Sequence, residues 1–141
     1  MEINRIVIDT NVIIAGLRSR NGASFKLISL LGCDQFELNI SVPLILEYES
    51  IAIRHLDELV LDKNDVEIFL DYICKVGEKC EIFYLWRPFL KDPKDDFVLE
   101  LAFNSESDYI ITFNKKDFRG IEKLGIEALT PREFLDLIEV K

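Results

Sequence analysis

Cysteine and histidine are both scarce. The chain of 141 residues has three cysteines, Cys33, Cys74 and Cys80, and one histidine, His55. An odd number of cysteines with no C-x-x-C pair excludes a disulfide framework, and one histidine completes no zinc set with them in the usual spacings. The cysteines read as small buried apolar side chains in a reducing compartment. Six glycines and four prolines, beside 49% hydrophobic and 30% charged residues, exclude collagen-like and disordered classes. No repeat, low-complexity tract or flexible linker divides the chain, so one domain over residues 1–141 is the simplest organisation. Long apolar runs are missing too. Stretches such as Leu44–Leu46 are far too short to span a bilayer, so the expectation is a cytoplasmic protein without membrane span or export signal. Bases are outnumbered, 17 to 26, and the formal charge of −9 disfavours long-range attraction of polyanions while leaving room for a local basic rim.

What is present alternates between strand and helix signals. Ile3–Ile8 is a β-branched run ending in Asp9-Thr10-Asn11, residues that suit a strand end and a helix cap. A turn at Arg20-Asn21-Gly22 precedes a helical spacing over Ser24–Leu31, with Gly32 as its stop. Phe36–Ile40 reads as a second strand, and Ser41-Val42-Pro43 opens a helix carrying Glu47. Asn64 with Glu67 has capping-box spacing before the apolar stripe Val66, Phe69, Leu70 and Ile73. Glu81–Trp86 is strand-like, and Asp95-Asp96 stand at the head of a further helix. Tyr109–Thr112 and Ile126–Leu129 are short strands, and Thr130-Pro131-Arg132-Glu133 caps a final helix. The alternation predicts an α/β fold with a mostly parallel central sheet of about five strands flanked by helices.

In such sheets sites form beyond the carboxyl ends of the strands. Hard oxygen donors collect there: Asp9 and Asn11 after the first strand, Glu47 on the following helix, Asp92, Asp95 and Asp96 at a helix start, and Asn114 to Asp117 after the fourth strand. No nucleophile is paired with histidine. This inventory suits Mg²⁺ or Mn²⁺, ions that neutralise charge on a phosphoryl group and make water more acidic, and so points to phosphodiester hydrolysis. A plain structural reading stands beside each acid: Asp9, Asp95 and Asp96 are good helix caps, and a different helix rotation turns Glu49 inward instead of Glu47.

Five segments occur in order: R-I-V-I-D-T-N-V at Arg5–Val12, S-V-P-L-I-L-E-Y at Ser41–Tyr48, D-P-K-D-D-F-V-L-E-L-A at Asp92–Ala102, D-Y-I-I-T-F-N-K-K-D-F at Asp108–Phe118 and L-T-P-R-E-F-L at Leu129–Leu135. Together they resemble the PIN-domain family, in particular the toxins of prokaryotic toxin–antitoxin modules. The resemblance implies a Mg²⁺- or Mn²⁺-dependent ribonuclease acting on RNA, a cognate antitoxin that blocks the site, and a homodimer. It makes Asp9 the first metal ligand, Glu47 the second acid and Asp95 or Asp96 the third, with Asp95 preferred. Asn11 and Thr112 fall at small polar positions that orient the acids or the attacking water. The family often has an acid where this chain has Asn114, and the next carboxylate is Asp117, so a second metal is held less firmly unless Asp117 replaces it. Arg18, Arg20, Lys115, Lys116 and Arg119 are candidate phosphate contacts. Trp86, Phe83 and Phe89 are core or base-stacking aromatics. His55 reads as a surface or helix-end residue. Two other functions compete with the nuclease. An aspartate-nucleophile phosphatase needs a second acid where Asn11 stands; a non-catalytic binding module accommodates Asn114.

Overall fold

The computed structural model describes residues 3–81 and 93–138, with side chains in the second stretch described from residue 97 onward. Among the described residues, five strands form one parallel sheet: β1 (Asn4–Ile8), β2 (Phe36–Ile40), β3 (Glu78–Lys79), β4 (Tyr109–Ile111) and β5 (Glu127–Leu129). Six α-helices among these residues flank it: α1 (Thr10–Arg18), α2 (Ala23–Ser29), α3 (Val42–Arg54), α4 (Lys63–Val76), α5 (Pro93–Asn104) and α6 (Pro131–Leu137). The strand order is β3-β2-β1-β4-β5, and every neighbouring pair is parallel. The predicted α/β class and parallel sheet are thus found.

The middle of the sheet follows from its sequence. Ile6, Val7 and Ile8 are fully buried, as are Ile110 and Ile111; consecutive apolar side chains fit only strands covered on both faces. α5 packs against β1, β2 and β4 through a segment in which Val98, Leu99, Leu101 and Ala102 are all buried. α3 buries Leu44, Tyr48 and Ala52, one residue per turn, and packs against α1, α4 and α5. Its start is as expected: the Ser41 hydroxyl accepts from the Leu44 N–H at 3.3 Å, and Pro43 sits in the first turn. Thr130 and Glu133 form the predicted capping box at α6.

Several expectations are corrected. The box at α4 is formed by Asp62 and Asp65, not Asn64 and Glu67, so the helix begins earlier: Asp62 accepts from the Asp65 N–H at 2.9 Å and Asp65 accepts in return from the Asp62 N–H at 3.1 Å. The connection from β1 to β2 holds two helices, where the helical spacing marks only Ser24–Leu31. α1 packs so closely on α2 that a Cβ at Gly16 would stand 2.1 Å from Ile28 Cδ1. Gly32, at φ +88°, supplies the left-handed turn beyond α2. The strand after α4 pairs with β2 at Glu78–Lys79, while residues 82–86 of the expected strand, with Phe83, Trp86 and Phe89, lie outside the described residues. The cysteines are free but only partly buried. Among the described residues, no helix is long and apolar enough to cross a membrane.

Candidate functional site

The strand order places β1 beside β4 at the point where the chain turns from one half of the sheet to the other. β1 leads to β2 on one side and β4 to β5 on the other, which opens a crevice beyond their carboxyl ends. The first residue past each strand faces it. Asp9 is tied to the sheet by its N–H, which donates to the Ile111 carbonyl at 2.9 Å; the Thr112 N–H donates likewise to the Leu129 carbonyl at 2.9 Å. The Thr112 hydroxyl, fully buried, donates to Asp9 Oδ2 at 2.7 Å and accepts from the Asn114 N–H at 3.0 Å. Asp9 also caps α1, its Oδ1 accepting from the Thr10 N–H at 2.9 Å. An anionic side chain is favoured at that helix end.

α3 brings the second acid. With Leu44, Tyr48 and Ala52 facing the core, Glu47 falls on the flank of the helix that turns to α1, and Glu47 rather than Glu49 lines the crevice. The Thr10 hydroxyl donates to Glu47 Oε2, so one residue serves both acids, its backbone holding Asp9 and its side chain holding Glu47. Below them the Tyr48 hydroxyl donates to the Ile8 carbonyl and braces α3 against the end of β1.

Burial pushes the Asp9 carboxyl above its ordinary range; its hydrogen bonds to Thr112 and Thr10 oppose the rise, and the charges of Glu47 and Asp117 add to it. Burial first, then the charges of Asp9 and Glu47, holds the Tyr48 phenol well above its usual range, so it remains a neutral donor. Asn11 Oδ1 is buried without a hydrogen-bond partner, and Asn11 lines the same crevice. Two mutually repelling carboxylates and a spare amide oxygen form a donor set that fits a hard divalent cation. Among the described residues no three acids, histidines or cysteines gather closely enough to hold an ion by themselves. The side chains of Asp95 and Asp96, in the first turn of α5, lie outside that description.

The cleft has a volume of about 580 Å³ and runs between α1 and α3. Asn114 lines it; Asp117 is exposed and absent from its wall, though its charge reaches Asp9. Arg18 is on the wall, 3.4 Å from Glu58, whereas Arg20 lines a separate apolar groove. Lys115 pairs with Glu133 at 2.9 Å, and Lys115, Lys116 and Arg119 border a different depression that also contains Asp108, Glu122 and Glu127. His55, read from sequence as a surface or helix-end residue, is the C-cap of α3 and also stands on the cleft wall. Its spacing from Glu47 and Ile51 at four-residue intervals along α3 is the signal that could have placed it there.

A parallel α/β sheet with a buried acid at its switch point, joined through one threonine to an acid on the next crossover, presents oxygen donors that suit a hard cation. A family model for the PIN domain matches residues 5–116, most of the chain and every residue of this arrangement. The chain belongs to the PIN-domain family, whose members are commonly nucleases, hydrolases acting on nucleic acid, and typically use divalent metals. No curated protein matches the sequence.

Proposed function

We propose that the protein is a Mg²⁺- or Mn²⁺-dependent endoribonuclease and the toxin of a toxin–antitoxin module. The observation that carries the nuclease reading is the linked pair Asp9 and Glu47 at the switch point, with the unpartnered Asn11 oxygen beside them. Asp9, Glu47 and one of Asp95 and Asp96 hold the ion, which when bound supplies charge neutralisation at the phosphodiester and acidifies water. Thr112 fixes the Asp9 carboxylate from the β4 side and Thr10 fixes both acids from α1. Arg18 lines the same cleft, its charge offset by Glu58. Asn114 offers oxygen without charge, and Asp117 is the nearby carboxylate that assists.

The antitoxin assignment rests on the family resemblance and on the net charge of −9, which favours a basic partner. A homodimer is supported by apolar side chains left in solvent on and before α4: Val60 at 75%, Ile68 at 59% and Tyr72 at 45% exposure. Co-expression with the product of the neighbouring reading frame tests the first. A stable, inhibited complex supports the toxin reading; independent purification and undiminished cleavage refute it. Light scattering after gel filtration tests the dimer.

Asn114 favours one second reading, a PIN fold retained as a binding module with weak or lost activity. Titration calorimetry with Mn²⁺ separates the two. The nuclease binds Mn²⁺ at one site that Glu47→Gln abolishes; a retired module binds it no better than exposed carboxylates do.

A further inference from the structure

Eight residues along α3 from Glu47, the chemistry of the cleft wall changes. On α3 and its C-cap, Glu47, Ile51 and His55 recur every four residues and face the cleft together; on α1, Asn11, Ala15 and Arg18 face it at spacings of four and three. The acids therefore occupy one end, and Arg18 and His55 the other, about 12 Å further along at 1.5 Å per helical residue. Glu58 stands between these two: its Oε2 is 2.5 Å from His55 Nδ1 and its Oε1 is 3.4 Å from the Arg18 guanidinium.

This arrangement fixes which ring nitrogen is free. A carboxylate can only accept, so Nδ1 carries the hydrogen that meets Glu58, and in the neutral ring Nε2 keeps its lone pair. The Arg18 charge is offset by Glu58, leaving this end of the cleft polar and close to neutral. A phosphate finds little net attraction there. A hydroxyl finds an acceptor in Nε2 of a ring that lines the cleft together with Arg18. His55 is about 39% exposed and open to a ligand without rearrangement of the core.

We propose that His55 is a specificity-determining residue that accepts a hydrogen bond from a ribose 2′-hydroxyl of the substrate, with Glu58 as the positioning residue that sets its tautomer. The sugar it contacts lies a few nucleotides from the reacting bond, given a stacked rise of about 3.4 Å per nucleotide along one strand. The 2′-hydroxyl is the group by which a protein distinguishes RNA from DNA at a given position. The proposal deepens the nuclease reading and rests on it.

The test is steady-state cleavage in Mn²⁺ of one single-stranded RNA, its all-DNA counterpart, and RNAs carrying a single 2′-deoxy substitution at successive positions. Wild-type protein is expected to prefer RNA and to show a fivefold to tenfold rise in KM at one flanking deoxy position, with kcat nearly unchanged. His55→Leu should raise KM for RNA by the same factor, leave DNA unaffected, and erase the deoxy effect. His55→Gln, whose amide oxygen reaches the place of Nε2, should retain most of the preference. Glu58→Ala should lie between. Equal losses on RNA and DNA with His55→Leu would mark a phosphate contact and overturn the proposal, as would an undiminished deoxy effect. A wild-type protein that cuts DNA as readily as RNA refutes the reader but not the nuclease; one that cuts neither refutes both. Unchanged thermal melts of the variants confirm that folding is not the cause.

Discussion

Replacing Thr112 by Val keeps the shape of a fully buried side chain and removes one hydroxyl. That hydroxyl makes two hydrogen bonds, donating to Asp9 and accepting from the Asn114 N–H. A bond to a charged group contributes about 1.5–3 kcal/mol, and the second, part-buried bond adds about 0.5–1 kcal/mol, so the loss is about 2–4 kcal/mol where Asp9 is ionised. For 141 residues the unfolding entropy is about 0.3 kcal/mol/K, which converts this loss to a fall in Tm of about 7–13 °C. The pH dependence has a definite sign. The folded pKa of Asp9 is raised, so its contribution to stability is fully present below the unfolded pKa and lost as pH rises through the folded value. Thr112 opposes that rise; without it the folded pKa climbs further, and the gap between wild type and variant widens as pH increases. Thermal melts in chelator from pH 3.5 to 8 measure it, with Thr112→Ser as the control that keeps the hydroxyl and loses only a methyl, about 1 kcal/mol. RNA cleavage should fall at least tenfold in the Val variant and much less in the Ser variant. A Val variant within about 0.5 kcal/mol of wild type at pH 8, or equal losses in Val and Ser, would refute the role given to this hydroxyl.

Asp9→Asn removes a buried charge that faces Glu47 and should raise metal-free stability at pH 7.5 by about 1 kcal/mol, with the advantage vanishing as pH falls through the folded pKa of Asp9. Saturating Mn²⁺ should reverse the order, because only the wild type gains from the ion, about 2.7 kcal/mol at a hundredfold excess over Kd; melts with and without Mn²⁺ decide it. Tyr48→Phe strips the donor from the Ile8 carbonyl and should cost about 1–2 kcal/mol in urea unfolding, with cleavage reduced because Glu47 and Asp9 share that brace. Asp62→Ala breaks the capping box of α4 and should cost about 1 kcal/mol with cleavage unchanged, since α4 contributes nothing to the cleft wall.

The sequence was most legible where local chemistry and tertiary position agree. Phe36–Ile40 emerges as β2 because its alternation of Phe36, Leu38 and Ile40 with polar residues, its position before a Ser-x-Pro cap and its burial all indicate the same element. α1 is legible only at its Asp9 cap. Thr10, Val12, Ile13 and Ile14 are β-branched and weak helix formers, and what makes them helical is the complete or nearly complete burial of Val12, Ile13 and Ile14 in a helix that packs on α2 and α3. The box at Asp62 departs from the usual capping-box pattern, with Asp rather than Glu at its third position. Asp9 was visible as a strand-end acid. Its link to Glu47 through Thr10 was not, since a contact across 37 residues depends on how α1 and α3 pack. The same packing selects Glu47 over Glu49 and brings His55 to the cleft. Lys115 and Lys116 follow Thr112 closely in the chain, yet the turn after Asn114 carries both to a different depression, where Lys115 pairs with Glu133. Chain proximity alone was a poor guide there.

Cleavage of a labelled, mixed-sequence RNA by purified protein tests the central claim most directly, with Mg²⁺ or Mn²⁺, with chelator, and with Asp9→Asn and Glu47→Gln in place of the wild type. The account predicts cutting by the wild type in either metal, none in chelator, and a loss of at least a hundredfold in both variants. Cleavage that survives both substitutions, or that persists in chelator, would contradict an active site built on Asp9 and Glu47.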